Sequence, residues 1–129
     1  MILQGRAGIV KKILISLYGN DVAPRFDLAT EVLIASVGED GQVVDEKILV
    51  LPQASAEKLC HMVLTEDVQT VICGGIEEEY YQYLVWKRVE VLDSVIGPAN
   101  VVMDHYRQGT LQSGDILLKR RQREGDENS

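Results

Sequence analysis

Cysteine, proline and phenylalanine are scarce in this chain, at two, three and one among 129 residues. Cys60 and Cys73 form no CxxC motif and have no histidine at zinc-finger spacing, which excludes a zinc knuckle and a disulfide framework. The expectation is two reduced, mostly buried thiols in a cytoplasmic protein. Positive charge is also short: 13 Lys and Arg against 20 Asp and Glu leave a net charge of −7 and a pI near 4.8. Such a balance argues against sequence-independent nucleic-acid binding, which needs phosphate neutralisation, and against docking on an anionic membrane. No apolar run reaches the roughly 18 residues of a membrane-spanning helix. The opening "MILQGRAGIVKK" has neither the long apolar core nor the small-residue cleavage site of a secretory leader. GxGxxG, GxxxxGK[ST] and internal repeats are all missing, and Ile9 to Tyr18 contains no acid.

What remains is an ordinary globular composition, 46% hydrophobic and 26% charged, of a length that suits one domain. "GIVKKILISLY" (8–18) reads as a central strand covered on both faces. "EVLIASV" (31–37) and "VVDEKILVL" (43–51) are two more strands, and Asp40-Gly41 between them predicts a hairpin with a type I′ turn. "SAEKLCHMVLTED" (55–67) is the clearest helix, with Ser55 as its cap and an apolar face of Ala56, Leu59, Cys60, Val63 and Leu64. A strand (68–75) ending in two glycines, a helix (77–88), a strand (89–97) and a helix opening at Pro98 and closing at Gly109 complete the order.

The pattern β-β-β-α-β-α-β-α predicts an α/β fold: a mixed five-stranded sheet in the order 3-2-1-4-5, with only strand 2 antiparallel and helices on both faces. Residues 1–8 are an N-terminal extension, 9–112 the domain, and 113–129 a charged tail expected to be flexible. At the carboxyl ends of strands one and four the direction of winding reverses. Open α/β sheets place ligands in that crevice.

The loop "YGNDVAPRFDLAT" (18–30) begins at this point and holds the only Phe. Asn20, Arg25 and Asp27 can hydrogen-bond a polar ligand, or Asn20 and Asp27 can serve their own backbone as turn residues do. Cys73-Gly74-Gly75 ends strand four beside it. The glycines either permit close backbone approach to a ligand or simply make a tight turn. Cys73 is either a core thiol or a soft metal ligand. Glu77, Glu78 and Glu79 follow and would repel an anion. His61 and His105 sit alone on helices, without companion ligands at helical spacing. Tyr80, Tyr81, Tyr83 and Trp86 cannot all face the core, so a partly exposed aromatic surface suits a dimer or partner contact.

The stretches "GNDVAPRFDLAT", "VGEDGQVVDEKIL", "VQTVICGGI" and "VEVLDSVIGPANVVMDHYRQGTL", in this order, resemble the dinitrogenase iron–molybdenum cofactor biosynthesis family over roughly residues 10–112. That family has a ribonuclease H-like fold and a loop of the type G-N-x-V-S-P-H-F-G-R-A. Its members bind, carry or help assemble iron–molybdenum or related metal–sulfur clusters. The resemblance implies a nitrogenase accessory factor, linked to nitrogen fixation, whose partners are a metal–sulfur cofactor and a protein that donates or accepts it, with a homo-oligomer as a further expectation. It also implies a cofactor-binding rim of Asn20, Pro24, Arg25, Phe26, Cys73, Gly74 and Gly75, with Cys73 as the metal ligand. Arg25 stands where the loop usually has His, and Asp27 where Gly is usual. The expected role is non-catalytic. A protein-interaction module that binds no metal is the alternative, and a magnesium-dependent hydrolase ranks last because strand one carries no carboxylate.

Overall fold

The computed structural model describes residues 10–118. The predicted 1–8 extension and residues 119–129 of the predicted 113–129 tail lie outside them. Strand β1, Val10–Tyr18, is the sheet's centre. Ile13, Leu14, Ile15 and Ser16 are buried completely, because helices cover both faces of this strand. That is why its sequence is continuously apolar rather than alternating.

Five further strands follow: β2 (Asp21–Val22), β3 (Glu31–Gly38), β4 (Val43–Val50), β5 (Thr70–Ile72) and β6 (Glu90–Leu92). The sheet runs β4-β3-β1-β5-β6, with β2 paired to β1 off this path. β3 is antiparallel to both β1 and β4, while β5 is parallel to β1 and β6. The expectation of five strands with one antiparallel member therefore misses β2, which folds back antiparallel on Leu17 and Tyr18. Two residues carry no period that a sequence pattern can reveal.

The β3–β4 hairpin also differs from its prediction. Gly41 has φ +85°, but Asp40 is not in the left-handed region, so the turn is not type I′. Instead the Gly41 amide donates to Gly38 O (2.9 Å) and the Gly38 amide to Gln42 O (2.7 Å). Asp40 Oδ1 accepts from the Gln42 amide. A turn of this kind followed by one left-handed glycine is the next commonest hairpin closure.

Helix α1 (Ala56–Thr65) starts where Ser55 Oγ accepts the Lys58 amide at 3.1 Å. Helices α2 (Glu78–Trp86) and α3 (Ala99–Arg107) follow β5 and β6. Pro98 caps α3 in an extended conformation, ψ 139°, rather than occupying its first turn. Gly109, φ +76°, ends the helix as predicted. Helices α1 and α2 close without glycine: Asp67 and Arg88 take left-handed backbone at φ 59° and 68°.

The sheet separates two cores. Leu14, Val32, Ile34 and Val71 face Leu59, Val63 and Leu84 of α1 and α2. Ile13, Ile15, Ala35 and Ile72 face Val102 and Met103 of α3. Past residue 112 the chain returns along the β6–α3 loop. The Ile96 amide donates to Asp115 O, and the Leu117 amide to Ile96 O. Among the described residues no helix is long and apolar enough to cross a membrane.

Candidate functional site

Three loops meet at the carboxyl ends of β1, β5 and β6. The first, residues 19–28, leaves β1 and turns sharply, because β2 pairs back on the strand and the Ala23 amide donates to Ser16 O at 2.8 Å. It is then stitched to the second loop. The Gly75 amide donates to Pro24 O (2.7 Å) and the Phe26 amide to Gly75 O (2.8 Å), which makes Arg25 and Gly75 a parallel bridge pair. On its other side the loop is stitched to the third. The Val22 amide donates to Gly97 O (3.0 Å), and the Ala99 amide to Asn20 O (2.8 Å). Segments some fifty residues apart in sequence thus share one rim.

Gly74 lies where the loops cross. A Cβ there would collide with Ala23 O and come within 2.5 Å of Pro24 O. Its glycine is therefore demanded by backbone passing backbone, the tight-packing alternative of the two readings above.

The seven predicted rim residues divide by exposure. Asn20, Pro24, Arg25 and Gly75 are exposed, whereas Phe26, Cys73 and Gly74 are buried. Phe26 fills the core under the loop, within a short 3-10 turn (Phe26–Leu28), and does not line the rim. Cys73 is fully buried in the same core, and burial pushes its thiol up to about 12, with Asp93 adding a smaller push. Cys73 is thus placed in the core beneath the loop and away from the exposed rim where the sequence reading set it. Cys60 is likewise buried and pushed up to about 11, chiefly by burial and also by Glu57. Both thiols are expected to stay silent toward a thiol reagent at pH 8 while the protein is folded, and both to react in guanidinium. A fast native reaction at Cys73 would show that the loop opens.

Arg25 is the rim's cation, and its charge is already engaged. Nε and Nη2 bind Asp27 in a two-point fork at 2.9 and 3.1 Å, and Glu77 lies 3.9 Å from Nη2. The fork holds the Asp27 carboxyl below its usual range. His61 is exposed on α1, and His105 Nδ1 lies 3.2 Å from Thr110 Oγ1 at the end of α3. Neither histidine joins the rim. Among the described residues no group of three or more His, Cys, Asp or Glu side chains is placed to hold a metal.

Two features escaped the sequence reading. The Ser16 hydroxyl is buried with no hydrogen-bond partner among the described residues. The β1–β5 register sets it one step beyond the Ile15–Ile72 pair, beside Cys73. The second is a wide groove of about 1670 Å³ between β4 and α3, which reaches the rim through Asn20, Gly97 and Pro98. A run of exposed apolar residues on an edge strand was its available signal. On α2, Trp86 is 74% exposed and Tyr83 37%. Lys87 lies over both rings, its Nζ 4.9 Å from the Trp86 centroid.

Comparisons with known proteins give one family match and several similar folds. A family model described as dinitrogenase iron–molybdenum cofactor matches residues 11–109. A crystal structure from Methanocaldococcus jannaschii, provisionally titled a dinitrogenase, is similar at 22% identity and a TM-score of 0.66, covering 81% of this chain and 94% of that one. An NMR structure from Thermotoga, provisionally titled a NifB protein of the DUF35 family, is similar at 17% identity and a TM-score of 0.63, covering 80% and 92%. No curated protein matches the chain.

Proposed function

The chain belongs to the dinitrogenase iron–molybdenum cofactor family, and on that premise we propose a non-catalytic accessory role: transient holding or delivery of a metal–sulfur cofactor as cargo. We read its mixed sheet as ribonuclease H-like and its setting as a reducing cytoplasm, which suits two free buried thiols. The observation that carries the reading is the Arg25–Gly75 bridge. It draws Pro24, Arg25 and Gly75 to one exposed rim at the point of reversed winding, with Asn20 held on the β6–α3 side of the same loop.

The residues there fit an outer contact rather than metal ligation. Thiolate and imidazole are both missing from the rim, so cargo would be held by Arg25 and the Asn20 amide through hydrogen bonds to sulfide or oxide. Asp27 and Glu77 compete for the same guanidinium. Such competition keeps holding weak, and weak holding favours hand-over.

The test is anaerobic incubation with extracted iron–molybdenum cofactor, then desalting and elemental analysis. Iron and molybdenum should stay with the protein. Arg25→Ala should lower retention about tenfold, as for loss of a charge-assisted contact, while Cys73→Ser should leave it unchanged. Loss on Cys73→Ser alone would mean direct thiolate ligation in an opened form and would overturn the rim reading. A wild-type protein that retains no metal would favour the second reading, an interaction module. The internal pairing of Arg25 supports that alternative.

A further inference from the structure

We propose that the outer edge of β4 accepts an extended segment of another protein as an added strand, a segment with a Lys or Arg between apolar residues at two-residue spacing. The proposal is independent of the cofactor reading, because β4 ends the sheet on the far side of β1 from β5 and the Arg25–Gly75 bridge.

β4 has a strand partner on one side only among the described residues. Every residue from Val44 to Ile48 is exposed. An unpaired edge of this length is a template for a further strand. Its α3-side face also carries apolar side chains that nothing among the described residues covers. Ile48 pairs with Leu33 and Glu46 with Ala35, which directs both toward α3. Val44, at the bulge where the register shifts, lines the same groove. Val44 and Ile48 are 61% and 59% exposed, and the groove's other wall offers exposed Tyr18, Ile96 and Leu118.

Charge selects the occupant. Among the described residues the groove is lined by Asp21, Asp45, Glu46 and Asp104 against a single cation, Arg107. That guanidinium is already committed, Nε to Gly41 O at 2.7 Å and Nη1 to Asp104 at 3.6 Å. A cation on the incoming strand opposite Glu46, with apolar side chains opposite Val44 and Ile48, satisfies both the charge and the face. A second copy of this chain does not. Two-fold antiparallel pairing across the middle of β4 sets Asp45, Glu46 or Lys47 against its own copy, and like charges directly opposite are destabilising. Centred on Glu46, it pairs Asp45 with Lys47 on either side but still leaves Glu46 facing Glu46. Shifting the centre to Ile48 carries Pro52 into the ladder, where it has no amide to donate.

The experiment uses the full chain and a fluorescein-labelled peptide, Thr-Val-Thr-Arg-Thr-Ile-Thr, with the same peptide carrying Glu for Arg as its counterpart. Fluorescence anisotropy at low salt should show the Arg peptide binding about fivefold to tenfold tighter. Glu46→Lys should reverse that order, and amide exchange across Val43–Val50 should slow when peptide binds. Glu46 is exposed, so circular dichroism should be unchanged by the substitution. Equal affinity for both peptides, no binding at millimolar peptide, or an order indifferent to Glu46→Lys would overturn the proposal. A dimer in light scattering that Glu46→Lys abolishes would also overturn it, because the occupant would then be a second copy.

Discussion

Gly74→Ala is expected to destabilise the protein by about 3 kcal/mol or more, read as a lower urea midpoint and a Tm reduced by roughly 10 °C. The methyl group would enter space held by the carbonyl oxygens of Ala23 and Pro24. Those atoms belong to backbone, not to the end of a flexible side chain, so no rotamer change relieves the contact. Relief requires the 23–26 segment to lift, which breaks the Gly75–Pro24 and Phe26–Gly75 hydrogen bonds. Phe26, buried completely, would lift with it. The neighbouring glycine is the control. At Gly75 an added Cβ comes no closer than 3.4 Å to Pro24 O, so Gly75→Ala should cost less than about 1 kcal/mol. If both variants lost the same small amount, the 23–26 segment would be yielding rather than locked, and the rim would have no fixed shape. Gly74→Ala should also expose Cys73 to thiol reagents, which ties this stability measurement to the site.

Much of this arrangement is legible in the sequence. The continuous apolar run from Ile13 to Leu17, the alternation in 31–37 and the face of Leu59, Cys60 and Val63 each reflect a burial pattern that the fold imposes. The meeting of the segments near residues 25 and 74 also follows from topology, since both leave adjacent parallel strands at the same end. The misses share a different cause. β2, the Asp40–Gly41 turn and the left-handed Asp67 and Arg88 are set by hydrogen bonds over two to five residues, too few for a periodic signal. Their side chains also differ from the usual choices: two helices end on a charged residue where glycine is the common solution. The sequence leaves the placement of Cys73 open, beside a Phe26 expected to fold back into the core, because a strand-end residue can face either a ligand or the core. Which one wins depends on the loop above it. Here the 24–26 backbone, bound to Gly75, closes over both.

Gly97→Ala tests a different seam, between the β6–α3 loop and the returning 115–117 segment, and should cost about 3–5 kcal/mol. Two penalties add there. Gly97 has φ +149°, a conformation nearly closed to any residue with a Cβ, at about 1–3 kcal/mol. The new methyl would also collide with Leu117 O and lie 3.1 Å from Leu117 C and Cβ. Gly19 separates the two contributions. It is also left-handed, φ +62°, but nothing among the described residues lies within 4 Å of its added Cβ, so Gly19→Ala should cost only about 1–2 kcal/mol. The excess at Gly97 measures how firmly Asp115–Leu117 is held against Ile96. Amide exchange should accelerate at Ile96 and Leu117, whose bonds to Asp115 O and Ile96 O cross this seam, while amides of the β1–β3 ladder stay protected. Equal losses for Gly97→Ala and Gly19→Ala would mean that the return segment peels away at little cost. The groove beside β4 would then lose the wall that Leu117 and Leu118 supply. A large excess would instead make that wall rigid, so an incoming strand would meet a preformed surface and would not have to order one on binding.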